Sequence, residues 1–155
     1  MKITLALNFM LLWQVSFAQK ADSTFRRNKL NIYFQAINQY LHFSEQENNK
    51  TDTLFLEVGY KITDSILSEC HHTKLVKLDK KQLNSLLKER RSLNLYRIMP
   101  LKARDGKFCV TLIPFGCGYN KVKNKYQFLY GGEYIAVFKF DGERFVFQNI
   151  EEHGI

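Results

Sequence analysis

LYRIMPLKARDGKFCVTLIPF, Leu95–Phe115, is the stretch on which the fold turns. Asp105-Gly106 lies between two apolar runs. An Asp-Gly pair in that setting signals a hairpin, because a type I′ turn needs positive φ at both central residues. A second pair, Asp141-Gly142, divides Tyr134–Phe140 from Phe145–Gln148 in the same way. Ser92–Gln148 therefore reads as three or four antiparallel strands, with the rest of the chain packed onto them.

The hairpins can be read for faces. A two-residue turn at Asp105-Gly106 sets Ala103 opposite Phe108, Leu101 opposite Val110 and Met99 opposite Leu112, so these six side chains share one face. Tyr96, Ile98, Cys109, Ile113 and Phe115 fall on the other, with Lys102 and Thr111. At Asp141-Gly142 a loop of two or four residues keeps Phe138, Phe140, Phe145 and Phe147 on one face, whereas a three-residue loop would not. Four phenylalanines in phase argue for the even loop.

Upstream, Leu30, Phe34, Ile37 and Leu41 recur at helical spacing, which predicts a long helix over Thr24–Ser44 capped by Asp22 or Ser23. A polar loop, Glu45–Thr53, follows. Thr53–Tyr60 alternates as a strand, Ile62–Cys70 is ambiguous, and Lys74–Leu78 reads as a short strand. Asp79 with Gln82 forms a capping box ahead of a second, shorter helix whose stripe is Leu83, Leu86 and Leu87. Gly116–Gly132 is the least regular part, and Gly131-Gly132 breaks the chain before the last hairpin.

The first eighteen residues read as a secretory signal peptide: Lys2, an apolar run Ile3–Trp13, and small residues at Ser16 and Ala18 before Gln19. The run is too short for a membrane span. The expectation is an exported protein, periplasmic or secreted, with residues 19–155 as one α+β domain. The chain carries a net +8, and loss of Lys2 with the leader leaves 22 basic against 15 acidic residues, a net +7. That balance favours anionic partners such as an anionic glycan. Cys70, Cys109 and Cys117 allow at most one disulfide. Along a straight strand Cys109 and Cys117 would stand about 26 Å apart, so they pair only if the chain reverses between them.

The catalytic signatures that can be read from spacing are missing. There is no phosphate-cradling glycine loop, no His-Glu-x-x-His helix, no Gly-x-Ser-x-Gly elbow and no Cys-x-x-Cys. No cofactor is expected and no catalytic residue is assigned. Cys70-His71-His72 is the one metal-like cluster, but adjacent side chains point apart and no second ligand pair follows at zinc spacing. The most concrete ligand-binding candidate is Lys121, Lys123 and Lys125 with Tyr119, Tyr126 and Tyr130. Alternate lysines on a strand would project to one side, with aromatic rings beside them to stack on a sugar or a base. The same lysines would also guard an edge strand.

The leader ending in Ala18-Gln19, the run Val110–Phe115 and the terminal Gly154-Ile155 resemble small exported bacterial proteins of unknown function, and the element order, carried by Leu30–Leu41, Asp79–Leu87 and the two Asp-Gly hairpins, resembles the cystatin-like or NTF2-like α+β group. That resemblance implies a bent antiparallel sheet of four to six strands holding both helices on its concave face. It carries over no activity, and the Gln-x-Val-x-Gly inhibitor loop of cystatins is absent from the mature part. The expected function is a non-enzymatic binding or accessory domain. The alternatives are a small enzyme with a pocket between helix and sheet, and a structural subunit pairing with a protein partner through an edge strand.

Overall fold

A 14-residue strand, β6 (Lys107–Asn120), is the spine of the molecule. The computed structural model describes residues 31–58, 62 and 66–154. In chain order it contains α1 (Ile32–Gln46), β1 (Thr53–Glu57), β2 (Glu69–Cys70), β3 (Thr73–Leu78), α2 (Lys80–Arg90), β4 (Ser92–Ile98), β5 (Lys102–Arg104), β6, β7 (Lys125–Tyr130), β8 (Glu133–Phe140) and β9 (Phe145–His153). The nine strands among the described residues join one sheet in the order β2-β3-β1-β4-β6-β8-β9, with β5 and β7 also paired to β6. One edge of β6 takes β5 and then β4; the other takes β8 and then β7.

This corrects the expected bent antiparallel sheet of four to six strands. The sheet is mixed, because β1 runs parallel to both β3 and β4. β3 and β4, which flank β1 on either side, run parallel to each other and are joined by a crossover through α2. Nor do the helices share a face. Leu54, Leu56, Leu75, Ile98, Val110, Leu112 and Phe138 pack under α1, while Phe55, Val76, Leu95 and Cys117 pack under α2. Alternate residues of β1 and β3 divide between these two cores, so the sheet is covered on both sides.

The first Asp-Gly hairpin forms as read: Asp105 and Gly106 both have positive φ (51° and 73°), and Ala103 faces Phe108. The register then slips. Ile98, not Met99, lies opposite Leu112, because Met99–Leu101 takes one more residue than its partner strand. The slip turns Ile98 inward, where it is 2% exposed. The second hairpin uses the four-residue loop, with Phe140 opposite Phe145 and Phe138 opposite Phe147. A bulge on β9 at Gln148 then returns Ile150 to the same face.

The long helix expected over Thr24–Ser44 is instead the 15-residue α1, which starts at Ile32 because Asn31 caps it, its side chain accepting from the Tyr33 and Phe34 amides, and not Asp22 or Ser23. Those two residues, Leu30, Tyr60 and the leader lie outside the described residues. Ala36, Ile37, Tyr40 and Leu41 are its buried stripe. The Asp79/Gln82 capping box is present, and Leu83 and Leu87 bury α2. Gly116–Asn120 and Lys125–Tyr130, read as irregular, are a hairpin. Among the described residues no helix is long and apolar enough to cross a membrane.

Candidate functional site

The C-terminal ends of α1 and α2 flank a polar cleft of about 560 Å³ against the sheet. Its inner wall is built from tyrosines on three elements. Tyr40 arrives on the core stripe of α1 and is 5% exposed, so its hydroxyl needs a partner inside. It donates to the Tyr96 hydroxyl of β4 at 2.9 Å. Its ring also stands 4.9 Å from that of Tyr134 on β8, and Phe43 meets Tyr134 from the next turn of the helix at 5.9 Å.

Burial, with Tyr96 alongside, pushes the Tyr40 phenol above its ordinary range. Tyr134 is raised as well, by burial and by the Glu152 carboxylate, to which it is hydrogen-bonded. Both phenols are therefore neutral at physiological pH, fit to donate and accept hydrogen bonds and unsuited to act as bases.

The loop after α1 forms the outer wall. Ser44 donates to the Asn49 carbonyl at 2.7 Å, and Thr73 of β3 holds the Thr51 carbonyl at 2.9 Å. These bonds fix a loop that brings Asn49, Lys50 and Thr51 to the cleft, opposite Asn94. Arg90, whose guanidinium lies 5.7 Å from the Phe55 ring centroid, closes the α2 end. Glu47 and Glu152 balance Lys50 and Arg90. A broader depression of about 620 Å³ on the other face, over Cys109, Thr111 and Ile135, has charged rims but no aromatic wall.

The predicted lysine stripe is arranged differently from the sequence reading. Lys121 and Lys123 sit in the β6–β7 turn, and Lys125 opens β7; all three are exposed. The Lys123 amide donates to Asn120 Oδ1, and Asn124 takes positive φ (47°), so the segment is a turn and its lysines do not line one strand face. Tyr119 and Tyr126 pair across the strands at 5.1 Å, and the Tyr119 hydroxyl donates to Asn124 Oδ1 at 2.6 Å. Tyr130 lies at the far end of β7 against Phe115, about 13 Å along the strand from Tyr126. Five of the six candidates lie at or beside the β6–β7 turn, and Tyr130 stands apart from them.

Cys70-His71-His72 also separates. Cys70 is buried, 3.5 Å from Asn38 Oδ1, and burial raises its thiol to about 12. His71 and His72 are the two central residues of the β2–β3 turn, both at positive φ (49° and 65°). His72 is exposed. His71 meets α1: its Nε2 is 3.0 Å from Glu45 Oε2, and its ring centroid is 3.9 Å from that of His42. Sequence reasoning missed His42 and Glu45, although their i, i+3 spacing was a usable signal. Among the described cysteines, all three are free.

No protein-family model, curated protein or solved structure matches the chain. The resemblance to the cystatin-like or NTF2-like group rests on element order and pattern.

Proposed function

We propose that the chain is an exported, non-enzymatic binding module whose cleft between α1 and the sheet takes a short, neutral, polyhydroxylated ligand of the saccharide class. The observation that carries this reading is the Tyr40–Tyr96–Tyr134 wall beside neutral amide and hydroxyl groups. A sugar ring offers an apolar C–H face to an aromatic ring and hydroxyls to polar groups around it, and ligand sites combine such surfaces in this way. Glu47 and Glu152 against Lys50 and Arg90 leave the cleft with no net sign, which favours a neutral ligand over the anionic one suggested by the overall charge. Raised phenol pKa values support binding over acid–base chemistry. Export rests on the leader, Lys2 to Ala18.

The test is calorimetric titration of the mature protein with a panel of neutral oligosaccharides. Binding by at least one class, lost in Tyr134→Ala and Asn94→Ala with the fold intact, supports the reading. Absence of binding across the panel, or binding indifferent to both substitutions, overturns it.

A second reading, an anionic partner at the β6–β7 tip, is favoured by one observation. Lys121, Lys123 and Lys125 are exposed there beside Val122, which is 96% exposed. Its mark would be retention on a heparin-type resin that Lys121→Glu with Lys123→Glu removes.

A further inference from the structure

We propose that His42, Glu45 and His71 form a binding site for one divalent transition-metal ion of the zinc class. The three residues come from two elements brought together only by the fold. His42 and Glu45 are one turn apart on α1 and share a flank of the helix. His71 is delivered to that flank by the two-residue β2–β3 turn. The ligating atoms of the three side chains all lie within 4.8 Å of one another.

The distances fit a metal. A tetrahedral zinc ion with bonds of about 2.0–2.2 Å sets its ligand atoms about 3.3–3.5 Å apart. Glu45 and His71 already stand at 3.0 Å. The remaining pairs lie within 4.8 Å, so they need to close by about 1.5 Å at most, by χ rotation of side chains on the surface. His71 and Glu45 are 25% and 40% exposed, which leaves them that freedom. An ion pair alone would use only Glu45 and His71, and it gives no role to the His42 ring, tilted against that of His71 with centroids 3.9 Å apart.

The donor set selects the ion. Two imidazoles and one carboxylate suit zinc, copper or nickel, and are poor for magnesium or calcium, which take oxygen donors. Three protein ligands leave a fourth position for water or for a group on a partner. The support is firm on both sides. Cys70 and Thr73, which flank the turn, are 3% and 5% exposed, and Leu41, next to His42, is 2% exposed. Cys70 does not join, because its thiol points at Asn38 inside the core. His72 does not join, because it stands outside the triangle. The site lies on a different flank of α1 from the cleft, and it stands independently of what the cleft binds.

The test uses mature protein without a histidine tag, stripped by chelator. Zn²⁺ is titrated calorimetrically, and Co²⁺ is followed by its ligand-field absorption. The expected result is one saturable equivalent of Zn²⁺, a tetrahedral Co²⁺ spectrum, and a rise in Tm with Zn²⁺. His42→Gln and His71→Gln should each weaken binding about tenfold or more, since even an outer partner of a ligand is worth about 10–100-fold. His72→Gln and Glu47→Gln should leave it unchanged. Should His71→Gln disturb the turn, His42→Gln on the helix surface tests the same claim. No saturable equivalent of Zn²⁺ overturns the proposal. So does an affinity unchanged in His42→Gln, or one abolished by His72→Gln.

Discussion

The hydroxyl of Tyr40 on α1 donates to that of Tyr96 on β4 at 2.9 Å, joining residues 56 apart in sequence across the seam between helix and sheet. The same pair anchors the main core and walls the cleft. Tyr40→Phe keeps the ring and removes the donor, so it should cost about 1 kcal/mol. Tyr40→Ala also empties core volume and should cost about 3–5 kcal/mol, as for other large aromatics. Urea unfolding measures both. A Tyr40→Phe protein as stable as the parent would mean that the hydroxyl pair contributes nothing.

Stability should fall in alkali, and Cys70 should be a main cause. Its thiol lies at about 12 in the folded protein against an ordinary value of 9.0, because of burial. Below pH 9.0 the thiol is protonated in both states, and this contribution to stability is fully present. Above it the unfolded chain releases the proton while the folded chain keeps it, so stability declines with rising pH until about pH 12. One such group gives a slope approaching about 1.4 kcal/mol per pH unit. Denaturant midpoints across this range should show a shallower decline for Cys70→Ala.

Gly132 should be among the least replaceable glycines. Its φ is +88°, and an added Cβ would lie 2.6 Å from the His153 carbonyl oxygen on β9. Gly142, at φ +104°, has open space around it. Gly142→Ala should therefore cost about 1–2 kcal/mol for its backbone conformation alone. Gly132→Ala should cost more, because the β8–β9 ladder must also move. Thermal unfolding of the two variants decides the order, and equal losses would contradict it.

Much of the chemistry that acts within a few residues was legible in the sequence. Asp105-Gly106 announced its turn through positive φ, Asp79 and Gln82 announced a helix start, and four phenylalanines in phase announced the even loop. What depends on distant partners was not legible. Nothing in Thr53–Glu57 says that it lies between β3 and β4 in parallel, although a strand, a capped helix and a strand in succession from Lys74 to Ile98 is a crossover pattern. The extra residue at Met99–Leu101 has no local marker beyond Pro100, yet it exchanged Met99 for Ile98 in the core. His71-His72 is a two-residue turn without the usual Asn or Gly, so the hairpin that brings His71 to His42 was hidden. The lysines at 121, 123 and 125 alternate as they would on a strand, but Asn120 and Asn124 turn that segment instead.

Chemical-shift mapping on the mature, amide-labelled protein, titrated with a neutral oligosaccharide chosen by calorimetry, tests the account most directly. The cleft reading predicts shifts concentrated at Glu47–Thr53, Ser92–Tyr96 and Tyr134, with the β6–β7 turn unmoved. Shifts centred on Lys121–Lys125, or no shifts at any concentration, would contradict it.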